Sequence, residues 1–186
     1  NRNRSTSNTM YTYGSGDVRC NYSEDNVLYL DDSGILHLID TASGKDMVYC
    51  DKPNCTHEGF SGSNEKPSCP AAFYGLEGAG TVLYNDHLYY VGNVSDEDMT
   101  VQYLYVMDSN GENRKKAAKL ENVQNVTAVL YRDNYVIGAY SNRIELNDEG
   151  QIVNDDKPEA GIFVIDLDNY KVYMSDKITS EQANIT

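Results

Sequence analysis

The phrase LYVMD, at residues 104–108, has two close counterparts in the chain: LHLID at residues 36–40 and IFVID at residues 162–166. Each copy consists of two alternating residue pairs with an apolar character, closed by an aspartate. The copies begin 68 and 58 residues apart. Alternation with a period of two is typical of a strand with one buried face, and a closing aspartate favours a turn. A strand-and-turn unit that recurs at such intervals predicts a repeat architecture.

The residues around each copy continue the pattern of short strands and polar turns. Helical periodicity is nearly absent, and the turns are rich in Gly, Asn and Asp, which tolerate positive φ in tight hairpins. We predict strands at residues 26–30, 35–40, 47–50, 81–84, 87–91, 101–107, 117–120, 126–131, 135–140, 161–166 and 170–174. The chain is therefore predicted to be all-β, built from antiparallel meanders of three to four strands.

Meanders of this kind, repeated around an axis, form the blades of a β-propeller. We predict a flexible N-terminal segment at 1–10 and a partial propeller at 11–186, with blade units at 11–75, 76–120 and 121–186 and insertions at 51–72 and 141–160. Closed propellers have about four to eight blades. We therefore expect about three blades of a larger propeller, completed by missing blades or by self-association.

The composition argues against two kinds of partner. Acidic residues outnumber basic residues 29 to 15, and the net charge is −14. Binding to phosphate needs a basic face, so we expect no nucleic-acid partner. We predict no transmembrane segment, because no apolar stretch approaches the roughly 18 residues that a spanning helix needs. No signal peptide is visible, and we expect the targeting segment to be absent from this sequence.

Four cysteines and a histidine form the most specific chemical pattern. Cys50, Cys55, His57 and Cys69 follow the spacing Cys-x4-Cys-x-His-x11-Cys, and zinc accepts three thiolates and an imidazole in a tetrahedral structural site. The competing hypothesis is one or two disulfides among Cys20, Cys50, Cys55 and Cys69, for which three pairings exist. A third hypothesis, a thiol nucleophile with His57 as its base, needs a lowered thiol pKa.

Other polar motifs are interpreted as structural. We interpret residues 108–111 and 166–169 as hairpin turns rather than calcium loops, residues 75–80 as a linker, and the basic cluster 114–116 as a solvated strand edge. The acidic residues of the second insertion are expected to form a solvated loop: Asp148, Glu149, Asp155, Asp156 and Glu159. No hydrolase or metalloprotease motif occurs, so no catalytic residue and no bound organic cofactor is predicted.

Three segments resemble known propeller families. Residues 104–116 resemble the repeat of TolB-type propellers, and residues 34–45 resemble a quinoprotein-type blade in which His37 replaces the usual tyrosine. The cysteine segment, 50–57 with 68–73, is similar to one in secreted or lipid-anchored propeller proteins of anaerobic Gram-positive gut bacteria. This resemblance implies an extracellular or cell-surface location and a longer parent chain, and it brings no established activity.

We therefore expect an extracytoplasmic binding module rather than an enzyme. Sixteen tyrosines and no tryptophan suit half-buried strands, and a tyrosine-lined surface could also stack on sugars or peptides. The expected ligand is a carbohydrate, a peptide or a protein. The alternatives are a glycan-active hydrolase or lyase whose site is completed by blades absent from this chain, and a scaffold protein for envelope assembly.

Overall fold

The computed structural model describes residues 9–13, 20–22, 25–64, 67–73, 81–92, 101–142 and 160–175. Within these ranges every regular element is a strand, and there is no helix, hence none that could span a membrane. The strands are β1 (Thr9–Tyr13), β2 (Cys20–Tyr22), β3 (Asn26–Leu30), β4 (Leu36–Asp40), β5 (Lys45–Val48), β6 (Val82–Tyr84), β7 (His87–Gly92), β8 (Gln102–Asp108), β9 (Lys115–Leu120), β10 (Asn125–Arg132), β11 (Tyr135–Ser141), β12 (Ala160–Asp166) and β13 (Val172–Met174). The predicted all-β class is confirmed.

The described strands form antiparallel meanders of the predicted kind. Strands β2–β5, β6–β9 and β10–β13 each pair with their neighbours in chain order. Strand β1 pairs with both β10 and β2, so it joins the first and third meanders into one hydrogen-bonded network of nine strands. Strands β1 and β2 were not predicted from the sequence, because short strands within polar sequence carry little periodicity.

The three copies of the repeated phrase occupy equivalent places. They lie in β4, at the end of β8, and in β12, each of which is the third strand of its meander. This equivalence supports the interpretation of the phrase as a structural repeat.

The closing aspartates hold the turns that follow these strands. The Asp40 carboxylate accepts hydrogen bonds from the backbone N–H of Ser43 at 2.8 Å and from its hydroxyl at 2.9 Å. These bonds lower the pKa of Asp40. Asp166 accepts the N–H of Asp168 at 2.9 Å, and Asp108 accepts the side-chain amide of Asn113 at 2.6 Å. These carboxylates act as turn caps.

Strands β7 and β8 are covered on both faces, since successive residues along each strand are buried. Towards β10–β13, the Tyr84 hydroxyl donates to the Asp168 carboxylate at 3.1 Å, and the rings of Tyr89 and Tyr170 lie 6.5 Å apart. Towards the first insertion, Tyr90 packs edge-on against the buried ring of Phe73 at 5.3 Å. The middle meander therefore connects the other two parts of the core.

The sheet β10–β13 has one buried face and one exposed face. Phe163, Ile165 and Val136 are fully buried on the inner face. On the outer face, the strand register aligns one row of apolar side chains across all four strands: Leu130, Ile137, Val164 and Tyr173. Among the described residues, every large apolar side chain that is exposed belongs to this sheet: Leu130, Tyr135, Ile162, Tyr173 and Met174.

Several sequence-based expectations lie outside the described residues. They are residues 1–8 of the predicted flexible segment, the whole of the linker at 75–80, and residues 143–159 of the acidic insertion. Thr9 and Met10, the remainder of the predicted flexible segment, begin strand β1.

Candidate metal centre

Four side chains of the first insertion converge on one point. The Sγ atoms of Cys50, Cys55 and Cys69 and a ring nitrogen of His57 all lie within 4.8 Å of one another. Cys69 Sγ and His57 Nδ1 lie 3.7 Å apart. These are the four residues that the sequence spacing predicts as metal ligands, and they lie close enough together to bind a metal ion.

A tight turn brings Cys55 back towards Cys50. Pro53 and Asn54 occupy the two central positions, Asn54 has φ 58°, and the N–H of Cys55 donates to the carbonyl of Lys52 at 3.3 Å. Proline followed by a residue with positive φ is the signature of a type II turn. His57 also has positive φ, 55°, a conformation that is uncommon for residues other than glycine and in which histidine is enriched among them. The backbone thus places Cys55 and His57 beside Cys50, which lies two residues after the end of β5.

Each thiol accepts a hydrogen bond from the backbone two residues further on. The donors are the N–H of Lys52 to Cys50, the N–H of His57 to Cys55, and the N–H of Ala71 to Cys69. A backbone N–H stabilises the negative charge of a thiolate and fixes its orientation. Each of the three thiols therefore has a backbone donor that favours the thiolate, the form that binds a metal.

The thiol pKa values respond to burial and to one another. Burial raises the pKa of Cys69 to about 12, with contributions from the neighbouring thiols, and burial also raises the pKa of Cys50. At Cys55 burial opposes ionisation, but the N–H of His57 and the two other thiols outweigh it and lower the pKa. The metal-free cluster therefore favours ionisation at Cys55 over the two more deeply buried thiols.

The distances fit tetrahedral zinc. Zinc–sulfur bonds of about 2.3 Å and zinc–nitrogen bonds of about 2.0–2.1 Å place ligand atoms about 3.5–3.8 Å apart. The Cys69–His57 separation of 3.7 Å falls in this range, and the widest pair would have to close by about 1 Å to reach it. Four protein ligands fill a tetrahedral shell, which is the pattern of a structural site rather than a catalytic one.

The competing hypotheses explain less of this geometry. Within the described residues no disulfide links any of the four cysteines, and Cys20 lies in β2, outside the converging group. A disulfide between two cluster thiols would leave the third thiol and the imidazole without a role. A nucleophilic thiol with His57 as its base would leave the other two thiols without a role. Cys69, whose Sγ lies 3.7 Å from His57 Nδ1, has a raised pKa, whereas the pKa of Cys55 is lowered.

Arg114 joins the insertion to the second meander. Its guanidinium donates to the carbonyls of Pro70 at 3.3 Å and Ala72 at 3.1 Å, and lies 4.2 Å above the ring of Phe73. The sequence analysis placed Arg114 on a solvated strand edge, and this prediction is wrong for Arg114. Nothing in its sequence context separates it from Lys115 and Lys116, which are exposed.

We expect Arg114→Lys to destabilise the protein by about 1–2 kcal/mol. Lysine keeps the charge but cannot reach both carbonyls and stack on Phe73 at the same time. Urea denaturation measures the effect, with Lys115→Arg at the exposed neighbouring position as the control. Equal stability of the two variants would contradict this role of Arg114.

The insertion is also attached to the first meander. Ala72 forms an isolated bridge with Ile35, the N–H of Leu36 donates to Ala71 O at 2.8 Å, and the N–H of Phe73 donates to Gly34 O at 2.8 Å. Cys69 is thus held a few residues from a fixed point of the sheet. His37 is not one of the four converging residues. It lies in β4, where its ring nitrogens are 3.0 Å from the Asp46 carboxylate and 3.5 Å from the Asp31 carboxylate.

Comparison with models of known protein families finds none that matches the chain, and no curated protein has a significantly similar sequence.

Proposed function

We propose that the chain is part of an extracytoplasmic ligand-binding module on propeller-type blades, with a structural zinc ion bound by Cys50, Cys55, His57 and Cys69. The observation that carries the proposal is the convergence of the four ligand atoms within 4.8 Å. The extracytoplasmic location and the larger propeller rest on the sequence resemblance of the repeat phrases and the cysteine segment.

The proposed role of zinc follows from the composition of the insertion. The described residues between Asp51 and Pro70 contain no strand, and most of them are exposed to solvent. Such a segment buries little apolar surface to offset the entropy lost on folding. A metal that cross-links residues 50, 55, 57 and 69 supplies that stabilisation. The zinc ion thus has a structural role, and binding is assigned to the surface of the insertion.

Intact-mass measurement tests the metal. Under native conditions we expect a mass about 63 Da above that of the denatured chain, which corresponds to one zinc ion less two displaced protons. A denatured mass about 2 Da below the reduced mass would indicate a disulfide. That result, or an unchanged native mass after incubation with zinc, would contradict the proposed zinc site.

A role in protein assembly is the second candidate, favoured by the exposed apolar face of the sheet β10–β13. The proposed occupant is the same face of a second copy of this chain. On a chain with net charge −14, two copies approach with least repulsion through a surface of apolar side chains. The row of Leu130, Ile137, Val164 and Tyr173 provides such a surface.

Replacing Ile162 and Tyr173 by serine is expected to weaken dimerisation by at least about tenfold, because both side chains lose buried apolar area. Sedimentation velocity over a range of protein concentrations measures the dimer. Met174→Ser is the matched control, since Met174 pairs with Phe163 and points to the opposite face. A wild-type chain that stays monomeric at high concentration would exclude this candidate.

A further inference from the structure

A groove of about 830 Å³ lies beside the metal centre and opens to solvent. One wall is formed by residues 31–33 and 35 of the β3–β4 turn, and the other wall by residues 57–61, 63 and 64 of the insertion. Its volume lies within the range of about 300–1,000 Å³ that is typical of small-ligand sites. The groove was not predicted from the sequence, because its two walls are separated in the chain and each has the sequence of an ordinary polar turn.

The first wall is rigid. The Asp31 carboxylate accepts the backbone N–H groups of Ser33 at 2.9 Å and Ile35 at 2.8 Å. The N–H of Gly34 donates to Asp31 O at 3.0 Å, and the turn continues directly into β4. This wall is therefore fixed by the sheet.

The second wall depends on the metal centre. It begins at His57, a proposed ligand, and closes on itself through the reciprocal backbone bonds of Ser61 and Asn64 at 3.1 and 3.0 Å. Its close contact with the first wall is at Gly59, where an added Cβ would lie 2.2 Å from the carbonyl oxygen of Ser33. The position of this wall is thus set at His57 and at Gly59.

The chemistry of the lining points to a hydroxyl-rich ligand. Serine hydroxyls at positions 33, 61 and 63 donate and accept, the carboxylates of Asp32 and Glu58 accept, and Phe60 contributes an apolar ring. The described residues that line the groove include no lysine or arginine, and the chain has a net charge of −14. Anionic ligands are therefore repelled.

We propose that this groove binds an oligosaccharide, neutral or amine-bearing, and that the metal at the cysteine–histidine cluster holds its second wall in place. The site deepens the proposed function, on which it rests, and assigns the ligand class and the place of binding. Vicinal sugar hydroxyls bind to carboxylate and hydroxyl groups, and the apolar face of a sugar ring packs on an aromatic side chain.

A matched pair of glycine variants tests the groove. In the zinc-loaded 186-residue chain, Gly59→Ala is expected to weaken oligosaccharide binding at least about tenfold, because the new methyl group separates the walls. Gly62→Ala should leave binding unchanged, since an added Cβ there has nothing within 4 Å. Asp32→Asn, an isosteric change on the first wall, should also weaken oligosaccharide binding. This effect does not depend on the position of the second wall.

Titration calorimetry with cello-oligosaccharides, chitosan oligomers, oligogalacturonate and a lysine-rich peptide identifies the ligand class. Binding of either of the first two, lost after chelation of zinc and weakened by Gly59→Ala, supports the proposal. Binding of the peptide or oligogalacturonate alone, or no binding at all, overturns it, as does sugar binding that survives chelation or is unaffected by Gly59→Ala. Zinc content is measured on the same samples. A zinc-loaded chain that binds no sugar would therefore contradict sugar binding in the groove but not zinc binding at the cysteine–histidine cluster.

Discussion

Cys69→Ser is expected to reduce zinc content from about one ion per chain to less than about 0.1 after dialysis. The variant retains two thiolates and an imidazole, and a serine hydroxyl is a poor zinc ligand because it stays protonated at neutral pH. Cys69 is also the ligand that returns from the far end of the insertion, so its loss opens the loop that zinc closes.

The same variant should unfold at a markedly lower temperature in the presence of zinc. With free zinc at about 1,000 times its Kd, binding stabilises the native state by about 4 kcal/mol. For a chain of this size, loss of this stabilisation lowers Tm by about 8–16 °C. Differential scanning calorimetry with and without a chelator separates this effect from the smaller cost of a buried hydroxyl.

Cys20→Ser is the matched control for Cys69→Ser. Cys20 lies in β2, opposite Tyr29, and is not one of the converging ligands. The variant should bind zinc as the wild type does. Loss of zinc in both variants, or in neither, would contradict the assignment of the four ligands.

The second large effect is expected for Gly138→Ala, with a loss of about 2–3 kcal/mol in the free energy of unfolding. Gly138 lies in β11 directly opposite Phe163, and an added Cβ would lie 2.0 Å from the tip of that ring. Phe163 is fully buried, so its ring has little room to move. Chemical denaturation should show the loss, equivalent to about 4–12 °C in Tm.

A double variant checks the cause of this effect. Phe163→Leu removes the part of the ring that the new methyl group meets, so Gly138→Ala should cost less in the Phe163→Leu background than in the wild type. If the losses in free energy of unfolding of the two single variants add in the double variant, the methyl group at position 138 does not act through contact with Phe163. Gly62→Ala, which has open space around it, serves as the neutral glycine control.

The sequence was informative about the strands because one face of most of them is buried. Alternation in β3, β4 and β12 follows from this burial, and the predicted strand at 26–30 has the bounds of β3. Asn85 and Asp86, between β6 and β7, both have positive φ, as expected for a two-residue hairpin. Strands β1 and β2 were missed because three to five residues in polar sequence carry too little pattern.

The candidate site could be predicted only in part. The spacing of Cys50, Cys55, His57 and Cys69 predicted the four residues that converge in the structure, because short separations between ligands are typical of structural zinc sites. The hydrogen bonds of Arg114 and the close contact at Gly59 depend on where distant segments meet. No local pattern encodes such meetings, so neither the attachment of the insertion nor the groove was predicted.

The most direct test of the account is X-ray absorption spectroscopy at the zinc edge on the purified, zinc-loaded chain. The account predicts one zinc ion with three sulfur neighbours at about 2.3 Å and one nitrogen neighbour at about 2.0–2.1 Å. A shell of oxygen and nitrogen atoms without sulfur, or a chain that binds no zinc while its cysteines are reduced, would contradict it.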